Sequence, residues 1–258
     1  LDIKQLTTRF IAYADGFLSG VTEHDRNIIM KRDHSRQVMR ECLEIAAAEE
    51  RDDDSRTLAG AIGLLHDIGR FEQYRQYRTL VDYRSVNHGE LGEQIVESTG
   101  LLDGFNSGQR QLIRTAIKHH NCREIAPNPD TEAVFFTKLV RDGDKLDIMR
   151  VVLEHYAKPE FDETVMLHLR NCEDISPTIY QSFMKGENPL MSELKTVTDF
   201  KVVQLGWVFD LNFDHSIREF KRRGFHDAIR KFLPDTPAVK TLYAKVEDYL
   251  NGITAISD

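Results

Sequence analysis

Nowhere in the 258 residues is there an apolar run approaching the roughly 20 residues needed to cross a bilayer. The opening stretch, Leu1 to Gly20, is interrupted by Asp2, Lys4, Arg9 and Asp15, so a signal-peptide core is not expected either. Cysteine is scarce: Cys42, Cys122 and Cys172 lie far apart, are odd in number and form no Cys-x-x-Cys pair. That argues against a disulfide scaffold and suits a reducing compartment, with the cytoplasm as the expected location and no membrane partner. Positive charge is in the minority, 34 Lys and Arg against 42 Asp and Glu for a formal net charge of -8, which disfavours a general polyanion binder. Period-two alternation is also scarce, and no fixed-period repeat or low-complexity tract occurs.

What the chain does have is apolar content, 41%, enough for a substantial core. Apolar residues recur at helical spacing, as in Val38, Cys42, Ile45 and Ala46, then Leu58, Ala61, Ile62 and Leu65, then Leu139, Leu146, Met149 and Val152. The periodicity predicts helices near 2–18, 31–50, 55–68, 88–99, 107–120, 131–156, 160–170, 176–185, 193–211, 213–231 and 236–252. Breakers such as Gly69, Gly100, Gly104, Pro159, Pro189 and Pro234 fall between these runs. The expectation is an all-α protein. The segment Glu72 to Asn87, rich in Tyr and Arg, lacks strong periodicity; a loop beside a site is one reading of it, although solvated charges fit better.

His-Asp occurs three times, so the dipeptide by itself means little. His24-Asp25 and His226-Asp227 have polar neighbours and read as solvent-facing pairs. His66-Asp67 instead closes the apolar run Ala61 to Leu65 and precedes Ile68-Gly69, so a continuing helix would bury it. Burying a carboxylate beside an imidazole is costly unless something pairs with both, and a metal ion is a sufficient reason. Further imidazoles and carboxylates sit on predicted helices: His34, His88, His119-His120 and Asp144. Helices of a bundle can converge such side chains. Ligands of these types, without thiolate, suit Fe, Mn, Co, Ni, Zn or Mg. His155, His168 and His215 read as structural.

His34, then His66-Asp67, then Asp144 in an Asp-Lys-Leu-Asp run resembles the HD-domain superfamily of metal-dependent phosphohydrolases, over roughly residues 30 to 155. His88 in His-Gly-Glu-Leu-Gly and His120 in Ala-Ile-Lys-His-His-Asn resemble the extra ligands of its two-metal branch. The resemblance implies one or two divalent ions per chain, the first on His34, His66, Asp67 and Asp144, the second on His88 and His120 with Asp67 bridging. His120 is preferred to His119 because the family's ligand tends to stand three residues after the aliphatic position that Ile117 matches. The implied activity is hydrolysis of a phosphomonoester or phosphodiester, a small phosphate ester or nucleotide, with a metal-activated water. Asp67 would be central. Arg70, three residues on and one turn away if the helix continues, is the first choice for a phosphate clamp, and Lys145 beside Asp144 the second.

Departures from known branches narrow the substrate. Asn121-Cys122-Arg123 follows His120, not the Glu and Gly-Tyr-Pro pattern of cyclic-di-GMP phosphodiesterases, and the Glu-Asp motif of guanosine tetraphosphate hydrolases is missing. The same ligand types leave open a di-iron oxygenase resembling inositol oxygenase, or a non-catalytic metal- or nucleotide-sensing module. The basic stretch Arg218 to Lys231, with Phe220 and Phe225 interleaved, superficially suits nucleic acid, but a helical core face with solvated charges opposite fits better. The expected organisation is an HD-type metal-binding core over residues 1–158 and a C-terminal helical extension, 159–258, packed on it, which could cap a pocket or make a homodimer contact.

Overall fold

The computed structural model describes residues 2–125, 127, 130–158 and 163–254. Its architecture is all-α, with no strand among the described residues; an isolated bridge joins Arg170 and Thr196. No helix of the described residues is long and apolar enough to cross a membrane. The three cysteines are free thiols. The chain divides into two units, residues 1–148 and 149–258.

The first unit contains α1 (Ile3–Asp15), α2 (Thr22–Ala48), α3 (Asp53–Leu65), α4 (Gly69–Tyr77), α5 (His88–Ser98), α6 (Ser107–His119) and the larger part of α7 (Thr131–Tyr156). Most starts are capped by the residue type that satisfies free backbone N–H groups: Asp2 accepts from Lys4, Asp52 from Ser55, Asn87 from Gly89 and Glu90, and Asn106 makes a capping box with Gln109. The apolar stripes read from the sequence meet in one core, where Phe10, Val38, Ile45, Ile62, Leu64, Leu65, Phe71, Ile113, Phe136 and Leu139 are fully buried.

Two glycines allow the close approaches that the site needs. A Cβ at Gly63 would stand 2.9 Å from the Met39 Cα and the Val38 carbonyl, so α3 lies directly on the backbone of α2. A Cβ at Gly69 would stand 2.2 Å from the carbonyl oxygen of His88, so only glycine lets the start of α4 pass the start of α5.

The second unit contains α8 (Pro177–Lys185), α9 (Val197–Gly206), α10 (Asp214–Arg222), α11 (Phe225–Arg230) and α12 (Pro237–Thr254) around Ile179, Phe183, Val202, Leu205, Phe220, Ile229, Leu242 and Val246. Asp199 is fully buried and accepts from the Ser176 backbone N–H and hydroxyl and from the backbone of Lys195 and Thr196, tying the start of α9 to that of α8.

Several expectations are corrected. The helix starting near 31 begins nine residues earlier, at Thr22. The helix expected over 160–170 is absent from its described residues, 163–170: Leu167 and His168 both have φ of 55°, which a helix cannot continue through, and Arg170 bonds Val197 instead. The 193–211 run is a short 3-10 turn, α9 and a second 3-10 turn. The 213–231 run breaks at Gly224, φ 64°. The 72–87 segment begins inside α4.

His24 and His226 are buried, not solvent-facing. His24 stacks on Tyr74 and bonds the Phe17 carbonyl; His226 lies between Phe220 and Tyr243 with Nε2 3.0 Å from Glu247. Each ring therefore has its own apolar stacking partner, which the local sequence did not announce. The basic stretch behaves as a core face with paired charges: Phe220 and Phe225 are buried, Arg222 and Arg223 both bond Glu219, and Arg230 bonds Asp235.

Candidate metal centre

Two of the histidines follow helix ends, where backbone carbonyls lack partners. His66 stands one residue past α3 and its Nδ1 donates to the Gly63 carbonyl at 2.8 Å; His120 stands one residue past α6 and its Nδ1 donates to the Ile117 carbonyl at 2.7 Å. Arg141 of α7 reinforces the second end by donating to the His120 carbonyl at 3.1 Å. The other two are fixed by carboxylates. His34 on α2 donates from Nδ1 to Asp147 of α7 at 2.7 Å, and His88, the first residue of α5, donates from Nδ1 to Asp82 at 2.7 Å. A carbonyl or carboxylate at Nδ1 fixes one proton there and leaves Nε2 as the nitrogen that can face an ion.

All four Nε2 atoms point into one buried space around two carboxylates. His34 Nε2 is 3.0 Å from Asp144 Oδ1 and 3.6 Å from Asp67 Oδ2, and His66 Nε2 is 3.5 Å from each of the same two oxygens. Across the Asp67 carboxylate, His88 Nε2 is 3.2 Å and His120 Nε2 3.8 Å from Oδ1. His34 Nε2, His66 Nε2 and Asp144 Oδ1 are buried without a hydrogen-bond partner. Unsatisfied buried polar atoms are expensive, and their spacing is close to the ~3.0–3.4 Å that separates neighbouring ligands about 2.1 Å from one ion. His34, His66 and Asp144 form one group able to hold a metal, and His66, Asp67 and His120 another. The donor set therefore fits a divalent ion.

The electrostatics agree. Burial pushes the Asp67 carboxyl up, but Lys31 foremost, then His66, hold it well below the usual range. For Asp144 burial is likewise outweighed, by His34 and His66, and the carboxyl is held well below its usual value. Burial lowers His66, yet Asp67 and then Asp144 override it and raise the imidazole to about 10. His120, lowered to about 4 by burial and by His88 and His66, is neutral at pH 7. At about 10 the His66 ring carries a proton on Nε2 as well, and an ion held with Asp67 and Asp144 would replace that proton, whereas His120 is already uncharged.

Arg70 sits beside the cluster, although the helix does not continue through Asp67: α3 stops at Leu65 and α4 starts at Gly69. The intervening turn still brings Arg70 Nε within 3.4 Å of Asp67 Oδ1, while its Nη1 donates to Asp82, Gln73 and the Leu80 carbonyl. Lys145 is half-buried and follows Asp144 on α7, so its side chain leaves the helix about 100° round from the carboxylate. His119 is turned away, with Nδ1 3.8 Å from Cys122 Sγ.

Sequence reasoning missed four supporting residues. Asp82 accepts from His88, Arg70, Gln73 and Asn121, which places the 72–87 segment beside the site. Its carboxyl is pushed up by burial but held well below its usual value by His88 and Arg70. Asp147 and Lys31 each stand three residues, one turn, from Asp144 and His34, a spacing that could have found them. Arg141 precedes the Asp-rich run, and nothing local marked it.

The family model described as HD domain matches residues 32–155. No curated protein and no solved structure matches the chain.

Proposed function

Taking the HD domain that residues 32–155 carry as the premise, we propose that this chain is a metal-dependent phosphohydrolase that cleaves a small phosphate ester or nucleotide. HD domains are mostly metal-dependent phosphohydrolases, and the observation that carries the reading is the set of four Nδ1-anchored imidazoles with their Nε2 atoms turned on Asp67 and Asp144. His34, His66, Asp144 and Asp67 Oδ2 would hold one divalent ion, and His88, His120 and Asp67 Oδ1 a second. When bound, such ions act as Lewis acids toward a phosphoryl oxygen and bring the acidity of water toward neutrality.

The chain's own residues then have distinct tasks. Asp67 offers one oxygen to each side, so its carboxylate sets the separation of the two halves. Asp147, Asp82 and the two helix-end carbonyls hold the imidazole rings, which keeps the ligand geometry fixed without reorganisation. Arg70 supplies positive charge at the Oδ1 side and braces the Leu80–Asp82 segment. Lys145, the second choice from the sequence, leaves α7 on a different side from Asp144, so Arg70 is the preferred phosphate clamp.

Purified protein stripped with a chelator and reloaded in turn with Mn, Co, Ni, Fe or Mg is tested for phosphate release from phosphorylated metabolites and nucleotides. Release that appears only on reloading is expected. Metal-loaded protein that releases no phosphate from any of them would contradict the reading.

A further inference from the structure

Lys31 carries a cation to the place where an ion would sit. It stands one turn before His34 on α2, its side chain is 15% exposed, and its Nζ donates to Asp67 Oδ2 at 2.6 Å. That oxygen is the one facing His34 Nε2 and His66 Nε2, at 3.6 and 3.5 Å. The opposite oxygen, Oδ1, faces His88, His120 and Arg70. The ammonium is therefore specific to one half of the centre.

An ion about 2.1 Å from Oδ2 and an ammonium on the same oxygen would stand only about 4 Å apart, in a site with little water to screen them. The lysine stem is long and flexible, and the side chain is partly exposed. We propose that Lys31 is a resident counter-cation of Asp67, which a divalent ion must displace, so that this lysine lowers the metal affinity of the His34 side of the centre. Lys31 is thus a positioning residue: it neutralises Asp67 before loading and makes the two halves unequal in affinity. The inference rests on the metal-binding part of the reading above, not on the choice of substrate.

The test is a Mn titration of the full chain, followed by calorimetry, for wild type, Lys31→Met and Lys31→Arg. Lys31→Met is expected to bind one ion about tenfold more tightly than wild type, and Lys31→Arg, which keeps the charge, to stay close to wild type. Melting curves give a second readout. Chelator-treated Lys31→Met should melt below chelator-treated wild type, because a buried carboxylate has lost its partner, and should gain more on Mn addition. A purely structural lysine would give the opposite sign: Lys31→Met that binds Mn no more tightly than wild type, with a Mn-induced gain in Tm no larger, overturns the inference. Wild type that binds no Mn, Co, Ni, Fe or Mg would instead overturn the metal reading itself.

Discussion

His88 and His120 direct their Nε2 atoms at each other across 3.0 Å, while each Nδ1 is committed elsewhere, to Asp82 and to the Ile117 carbonyl. At that distance the two nitrogens share a proton in a hydrogen bond, and an ion held by both and by Asp67 would take the place of that proton. Asp82 determines which way His88 faces. Asp82→Ala is expected to weaken the binding of one ion by roughly 10–100-fold while leaving the other. Calorimetric Mn titration reads this directly, and two unchanged affinities would remove Asp82 from the account.

Gly69 has to be small for a reason unrelated to turn conformation. The added methyl of Gly69→Ala would collide with the backbone of His88, and no rotamer change relieves a backbone contact. A loss of stability of about 2 kcal/mol or more is expected, together with loss of metal, in chemical denaturation and metal analysis. A variant with wild-type stability and metal content would show that α4 and α5 do not approach this closely.

The second unit contains an internal control for the His-Asp dipeptide. His226 is buried between rings, whereas Asp227 is exposed and bonds Tyr243. His226→Ala should cost about 2 kcal/mol or more in stability, and leave metal content at the wild-type level. His66→Ala should lower metal content. Equal metal loss in both would contradict the assignment.

Glu219 gives a pH dependence with a definite sign. Bonds from Arg222 foremost, and then Arg223, lower its carboxyl from 4.5 to about 2. A folded value below the unfolded one adds stability above the unfolded value, and that stability is lost as the pH falls from there through about 2. The stability gap between wild type and Glu219→Gln in urea should be full at pH 7 and smaller at pH 3. A gap of the same size at both would exclude this carboxylate as the source.

That these imidazoles and carboxylates would cluster was legible because their local settings differ from those of ordinary polar residues. His66-Asp67 closes an apolar run, and α7 kept to its expected bounds, 131–156, bringing Asp144 to within 3.0 Å of His34. The residues that orient the imidazoles were less visible. Asp82 lies in a segment without periodicity, and its importance comes from four donors that meet only in three dimensions. The expected helix over 160–170 failed for a backbone reason: apolar spacing around Met166 and Leu169 imitates a helix, but Leu167 and His168 take left-handed conformations that side-chain pattern does not encode. Burial of His24 and His226 depends on the aromatic rings that meet them, Tyr74 and Tyr243, far away in sequence.

Asp67 offers its two oxygens to the two halves of the centre, so its removal is the most direct test of the whole account. Phosphate release by Asp67→Ala would be measured beside wild type after both are reloaded with metal and matched for folding by circular dichroism. A fall of roughly a thousandfold or more is expected, with less metal retained per chain. Asp67→Ala turnover near that of wild type would contradict it.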